Sequence, residues 1–355
     1  MNFIQPPSQR NQSIDGLRGL AVLLVFHVHF FAQHQGKQYF AGDRPLLFDL
    51  FRTLHSGIIG VDIFFVISGF LIWRILFHEQ RPYVTYFVDR VNRLMPTYLL
   101  NILIVALSTF SLVKFLENVF FLPQLVPGHS YYNYVAWTLG WEWIFYILLF
   151  LVCIATNRNR KWSLIMLGGL FIVNYILSYV IKPTFIVFPD AFRFAGFFVG
   201  CFLSEWSPKL KGRVFYFLGY ASLPMIFSAC VLWGLHADQI NSHFLKLGGY
   251  YVFVDLAAFL LINFLLNFHS IYQKLFSFTP LRILGLISYT FYLTHSLIGI
   301  PIANQIFNDV HGIRTMALSY CISLLTTALI SYFLYTLTEK NYCRHKAKFL
   351  VPGRL

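Results

Sequence analysis

Windows of about twenty consecutive apolar residues recur along this 355-residue chain, and few folds accommodate them. About twenty helical residues span a hydrocarbon core of roughly 30 Å, whereas a barrel strand needs only about ten with alternating character. Within lipid every backbone N–H and C=O must bond inside the protein, so uninterrupted apolar runs of this length predict helices. Ten such runs occupy roughly residues 17–35, 57–77, 95–113, 136–155, 162–181, 190–206, 213–235, 247–268, 281–307 and 316–338. Arg193 and Pro224 interrupt the sixth and seventh. The loops between them hold no soluble domain, no repeat of fixed period and no low-complexity tract. The expected fold is all-α: one polytopic helical bundle over residues 1–355, with about ten transmembrane helices in a lipid bilayer.

Hydrophobic residues make up 57% of the chain and charged residues only 12%, against about 25% charged in soluble domains. No small-residue cleavage site follows the first run, which therefore reads as a retained span. The net charge of +13 reads as the cytoplasmic-loop bias of a membrane protein. Nucleic acid is not an expected partner, because no block of basic residues interleaves with exposed aromatics. Lys and Arg divide 19 to eight between the two sets of loops. The majority lies on the side holding both termini, which predicts that both are cytoplasmic. The five cysteines lack metal-site or disulfide spacing and read as small core residues; no metal is expected.

The first span, IDGLRGLAVLLVFHVHFF, carries four ionisable side chains into a segment that otherwise suits hydrocarbon. Such groups are costly there and mark candidate functional sites. Eleven helical steps from Arg18 to His29 return to within about 20° of the same face and rise roughly 16 Å. One stripe thus joins a cation near the cytoplasmic surface to a deeper imidazole. His27 lies about 200° from His29 and reads as a packing residue. Asp15 shares the first turn with Arg18 and reads as its partner or as a favourable acid at the helix start.

Further polar groups are candidates to serve that stripe. Asp62, in the second span, reads as a carboxylate bonded to a neighbouring helix. Arg90 and Arg93 lie one turn apart on an amphipathic helix expected to end at Pro96, and two guanidiniums so spaced suit a phosphate or pyrophosphate. Glu142 sits between Trp141 and Trp143, with Trp137 and Tyr146 about a turn away; it reads as acid, base, orienter of an imidazole or partner of an Arg. The loop 114–135 is rich in turn-formers and tyrosines and is expected to fold back on the outer side. Ser288, Tyr289, Tyr292, His295 and, near the end, Glu339 read first as polar helix–helix contacts, with His295 a lesser candidate for a second catalytic group.

In order along the chain, IDGLRGLAVLLVFHVHF, GVDIFFVISGFLI, RVNRLMPTYLL, WTLGWEWIFYILL, FFVGCFL, ISYTFYLTHSLI and YTLTEKNY resemble the motifs of the acyltransferase-3 family of integral membrane acyltransferases. The family's hallmark, Arg or Lys followed by ten residues and His, falls on Arg18 and His29. Its Arg-x-x-Arg motif falls on Arg90 and Arg93, and its Glu before an aromatic pair on Glu142. The chain departs at Gly140, where the family often has Ser, and at Asn341, where it usually has Pro. The resemblance implies transfer of an acetyl or other acyl group from cytoplasmic acetyl-CoA to a hydroxyl of a cell-surface glycan, such as lipopolysaccharide O-antigen or exopolysaccharide. It places the protein in the bacterial cytoplasmic (inner) membrane. Arg90 and Arg93 would hold the donor's phosphates. Arg18 would contact the donor or orient the site, and His29 would act as general base or transient acyl carrier. Glu142 would polarise His29 or position the sugar beside the tryptophan faces, with Asp15, Asp62, Trp141 and Tyr146 in support. Some members carry a fused extracytoplasmic hydrolase-like domain. This chain ends at Leu355 without one, so it is expected to act alone or with a separate extracytoplasmic partner. The competing class is a proton-coupled transporter or sugar-lipid flippase using Asp62, Asp255, Glu142 and His29, but the two halves of the chain do not match as a transporter repeat would. A scaffold without chemistry is the third.

Overall fold

The computed structural model of the protein describes residues 11–33, 57–107, 110–126, 128–180, 192–241, 244–307 and 313–349. Among them it is helical, with no strand. The helices are α1 (Gln12–Gln33), α2 (Ile59–Trp73), α3 (Tyr83–Ala106), α4 (Leu112–Val119), α5 (Trp137–Ala155), α6 (Arg160–Val180) and α7 (Ala195–Trp206). They continue as α8 (Arg213–Asn241), α9 (Phe244–Asn267), α10 (Ile271–Phe276), α11 (Thr279–Leu286), α12 (Ser288–Thr294), α13 (Ile300–Phe307) and α14 (Ile313–Phe349). A π-turn, Arg74–His78, extends α2, and another, His295–Gly299, joins α12 to α13.

Each predicted window coincides with helix in whole or in part, which makes this a helical membrane bundle. Among the described residues, six segments are long and apolar enough to cross a bilayer, and a seventh if the bent α11–α13 unit is one span. Window residues 34–35, 108–109, 181 and 190–191 lie outside the described residues, as do the loop cations Lys37, Arg44, Arg52 and Lys182.

Two segments differ from the sequence reading. The helix of Arg90 and Arg93 does not end at Pro96: α3 runs through it to Ala106. Proline removes one backbone donor and disfavours helix in the residue before it. Here buried Thr97, Tyr98, Asn101 and Ile102 anchor the continuation. Conversely, the ninth window is broken, with a bend of 68° between α11 and the segment that begins at Ser288.

α1 and α2 lie at the centre. In the α2 span 89% of the most apolar stretch is buried, against 28% in α8 and 22% in α14. α14 turns Leu325, Leu329, Phe333 and Leu337 outward at four-residue intervals, a stripe suited to lipid. α1 meets α11 at backbone contact. A Cβ on Gly19 would overlap the Leu281 carbonyl, and one on Gly285 the Asp15 carbonyl, so both positions require the absence of a side chain. Segment 110–132 folds back on α3: Tyr98 donates to the Asn118 carbonyl at 3.0 Å and its ring stacks on Phe121. The Asn118 side chain ties the segment's ends, donating to the Lys114 and Ser130 carbonyls and accepting from the Tyr132 amide.

Candidate active site

The Arg18 end of α1 is built by that close contact. With α1 pressed onto α11, the bend after Leu286 starts α12 beside Arg18, whose Nη2 donates to Ser288 Oγ at 2.6 Å. Arg18 lines a cavity of about 60 Å³ together with Arg93, Ser68, Thr138, Glu142, Ser288 and Tyr292. Arg90 and Arg93 are only 2% and 6% exposed, so they are interior groups rather than headgroup-facing charges. Arg90 lies with its guanidinium carbon 5.9 Å from the Tyr146 ring centre. Its Nε and Nη1 are buried and have no hydrogen-bond partner among the described residues.

Glu142 enters the same cavity from α5. Its Oε1 accepts hydrogen bonds from Ser68, on α2, at 3.1 Å and from Tyr146. Gly140 offers no hydroxyl, and the hydroxyls that meet this carboxylate come from Ser68 on α2 and from Tyr146, one turn further along α5. Glu339, on α14, is buried within electrostatic reach of Arg93 and Arg18. Three arginines therefore share a low-dielectric region with two carboxylates, an excess of cation that favours an anionic ligand.

The supporting residues take different places. Asp62 is closed off: Arg193 clasps it through Nε at 3.1 Å and Nη2 at 3.0 Å, and also donates to the Ile58 carbonyl at 2.7 Å. Both side chains are buried, and Arg193 stacks under Trp137 and Tyr251. The charge that interrupts the sixth window is thus the partner of the charge inside the second. Trp141 is buried against Phe194. Tyr146 belongs to the cavity cluster through Glu142. Asp15 lies in the first turn of α1, its carbonyl against Gly285.

At the other end of the stripe, His29 is half-buried, and its Nδ1 lies 2.8 Å from Nε2 of His295. The two rings are near-parallel with centres 5.0 Å apart, and Tyr134 packs edge-on against His29. His295 is fully buried against Phe26 and Phe291, and its Nδ1 is 2.7 Å from the Tyr292 carbonyl. The orienting group at His29 Nδ1 is therefore another imidazole, while Glu142 serves the Arg18 cavity. His27 points elsewhere, toward Phe31 and Tyr320. Tyr292 connects the two ends: its ring lines the cavity, its hydroxyl donates to the Val135 carbonyl and accepts from Thr138, and its carbonyl faces His295.

His295, Ser288 and Glu339, which read from sequence first as polar helix–helix contacts, stand at the site. The available signal is their type: polar groups within or at the edge of apolar windows, at SYTFYLTHS and TLTEK. It does not say which would meet across helices. Arranged as they are, these groups provide an anion-attracting chamber at one end of α1 and an imidazole pair at the other.

The membrane-length apolar helices among the described residues make this a multi-pass membrane protein. A family model described as "Acyltransferase domain" matches residues 11–336, and the chain belongs to that family, acyltransferase-3. It is 26% identical to the O-acetyltransferase OatA of Staphylococcus aureus over 371 aligned positions, covering 92% of this chain and 56% of that protein. It is also 26% identical to the peptidoglycan O-acetyltransferase OatA of Listeria monocytogenes, over 80% of this chain and 48% of that protein. The exopolysaccharide production protein ExoZ of Rhizobium meliloti is 33% identical over 44% of this chain and 53% of its own length. The chain spans about half the length of the curated relatives it matches. No solved structure matches.

Proposed function

We propose that this protein is an O-acetyltransferase of the bacterial cytoplasmic membrane, moving an acetyl group from cytoplasmic acetyl-CoA to a hydroxyl of a cell-surface polysaccharide. The observation that carries the reading is the single stripe of α1, with Arg18 in a buried, cation-rich chamber and His29 hydrogen-bonded about 16 Å further along. Arg90, with two buried donor atoms lacking partners among the described residues, and Arg93 supply forks suited to the donor's phosphates. Arg18 orients the donor end of the site while bonded to Ser288. His29 takes the proton of the acceptor hydroxyl, whose oxygen then accepts the acyl group as the thioester C–S bond breaks. The leaving thiolate receives that proton. Glu142, held by Ser68 and Tyr146, balances the arginines at the donor end.

The Lys and Arg distribution supports a cytoplasmic Arg18 end and cytoplasmic termini. The acceptor classes are peptidoglycan and exopolysaccharide, which appear in the names of relatives, and lipopolysaccharide O-antigen. Mass spectrometry of surface glycans tests the reading: cells carrying only His29→Ala, with the protein at normal abundance in the membrane, lose an acetyl mass that wild-type cells show. An unchanged acetyl pattern rejects it.

A further inference from the structure

We infer that His295 is a positioning residue that fixes the tautomer of His29 and makes Nε2 its basic nitrogen. The inference rests on the reading of His29 as the base. A carbonyl oxygen can only accept, so His295 Nδ1, at 2.7 Å from the Tyr292 carbonyl, carries a proton. The ring is fully buried between Phe26 and Phe291, with no carboxylate paired to it among the described residues, so this site holds the neutral form. A neutral imidazole has one N–H, and His295 Nε2 is therefore an acceptor. It faces His29 Nδ1 at 2.8 Å, which must donate. The proton of neutral His29 is thereby held on Nδ1 and the lone pair on Nε2.

Backbone geometry builds the device. His295 opens the π-turn His295–Gly299, an irregularity common at functional sites. Two successive carbonyls just before it are bonded by side chains. The Leu293 carbonyl accepts from Asn101 and Asn133, each at 2.9 Å, and the Tyr292 carbonyl accepts from His295. Asn133 also donates to Asn101 at 2.9 Å and accepts from Ser296 at 3.2 Å, locking the turn on both sides. The orientation of His295 is thus set by the main chain and a satisfied amide network, which gives the tautomer a fixed reference.

The proton count closes. The acceptor O–H bond breaks as its oxygen bonds the acyl carbon, and the proton goes to His29 Nε2. The resulting imidazolium keeps its Nδ1–H directed at His295. As the C–S bond breaks, the Nε2 proton passes to the thiolate, and His29 ends in the tautomer in which it began.

The test compares full-length wild type, His295→Ala, His295→Gln and His29→Ala in membrane vesicles of the producing strain. Radiolabelled acetyl-CoA is supplied as donor, and label entering the polysaccharide fraction is scored per folded protein. Gln can present Oε1 to His29 Nδ1 where Ala presents nothing. The expected result is a fall in kcat of about 10²-fold or more in His295→Ala with KM for acetyl-CoA unchanged, and recovery of most of it in His295→Gln. A purely structural role would move both variants, or kcat and KM, together. Wild-type kcat in His295→Ala, or Gln no better than Ala at equal folded protein, overturns the inference. If the variants do not fold, nitrogen NMR of labelled wild-type protein decides it: His29 protonated at Nδ1 supports the inference, and protonation at Nε2 rejects it. Transfer surviving in His29→Ala would instead reject the reading of the base itself.

Discussion

The two ends of α1 solve opposite electrostatic problems. Around Arg18 the protein gathers Arg93 and Glu142 in one cavity, keeps Arg90 and Glu339 buried close to it, and leaves two donor atoms of Arg90 without a partner among the described residues. Around His29 it assembles neutral rings, amides and carbonyls in which donors and acceptors match. Buried polar groups that are fully paired fix geometry, while a buried cation excess waits for an anion. On the proposed function, the first end recognises the charged donor and the second handles the proton, with Tyr292 touching both.

Breaking the neutral end should have the largest effect. His29→Ala is expected to lower transfer by about 10²- to 10⁴-fold, the usual worth of a positioned general base. Release of CoA and acetylation of polysaccharide, measured together, check this. Next comes the cationic end: Arg90→Ala with Arg93→Ala should weaken donor binding by about 10- to 100-fold, in line with about 1.5–3 kcal/mol for a hydrogen bond to a charged group. Titration of acetyl-CoA into protein in nanodiscs gives the value. Ser288→Ala removes only the neutral acceptor of Arg18 and should cost about 1 kcal/mol, roughly fivefold, in the same titration. Asp62→Asn sharpens the comparison from outside it. Losing the buried clasp of Arg193 should lower stability by about 3–5 kcal/mol, read as a lower thermal unfolding midpoint.

Much of this was legible in the sequence, for reasons of period and cost. Apolar runs of membrane length fixed the helices, and the eleven-residue spacing set Arg18 and His29 on one face. The same geometry turned His27 away, and it lies against Phe31 and Tyr320. What escaped depends on contacts between distant segments. His29 and His295 are 266 positions apart, Asp62 and Arg193 are 131, and no local periodicity couples them. Pro96 misled because its local penalty is offset by buried side chains beyond it. The bend at Ser288 and the π-turn at His295 fall inside an apolar window whose composition gives no sign of a break. Both breaks aim a polar side chain at α1.

Equilibrium binding of acetyl-CoA to purified His29→Ala, set beside its transfer activity, tests the division of labour most directly. The account predicts a dissociation constant equal to that of the wild type with transfer abolished. A variant that loses donor binding together with transfer would contradict it, because the two ends of α1 would then be one site.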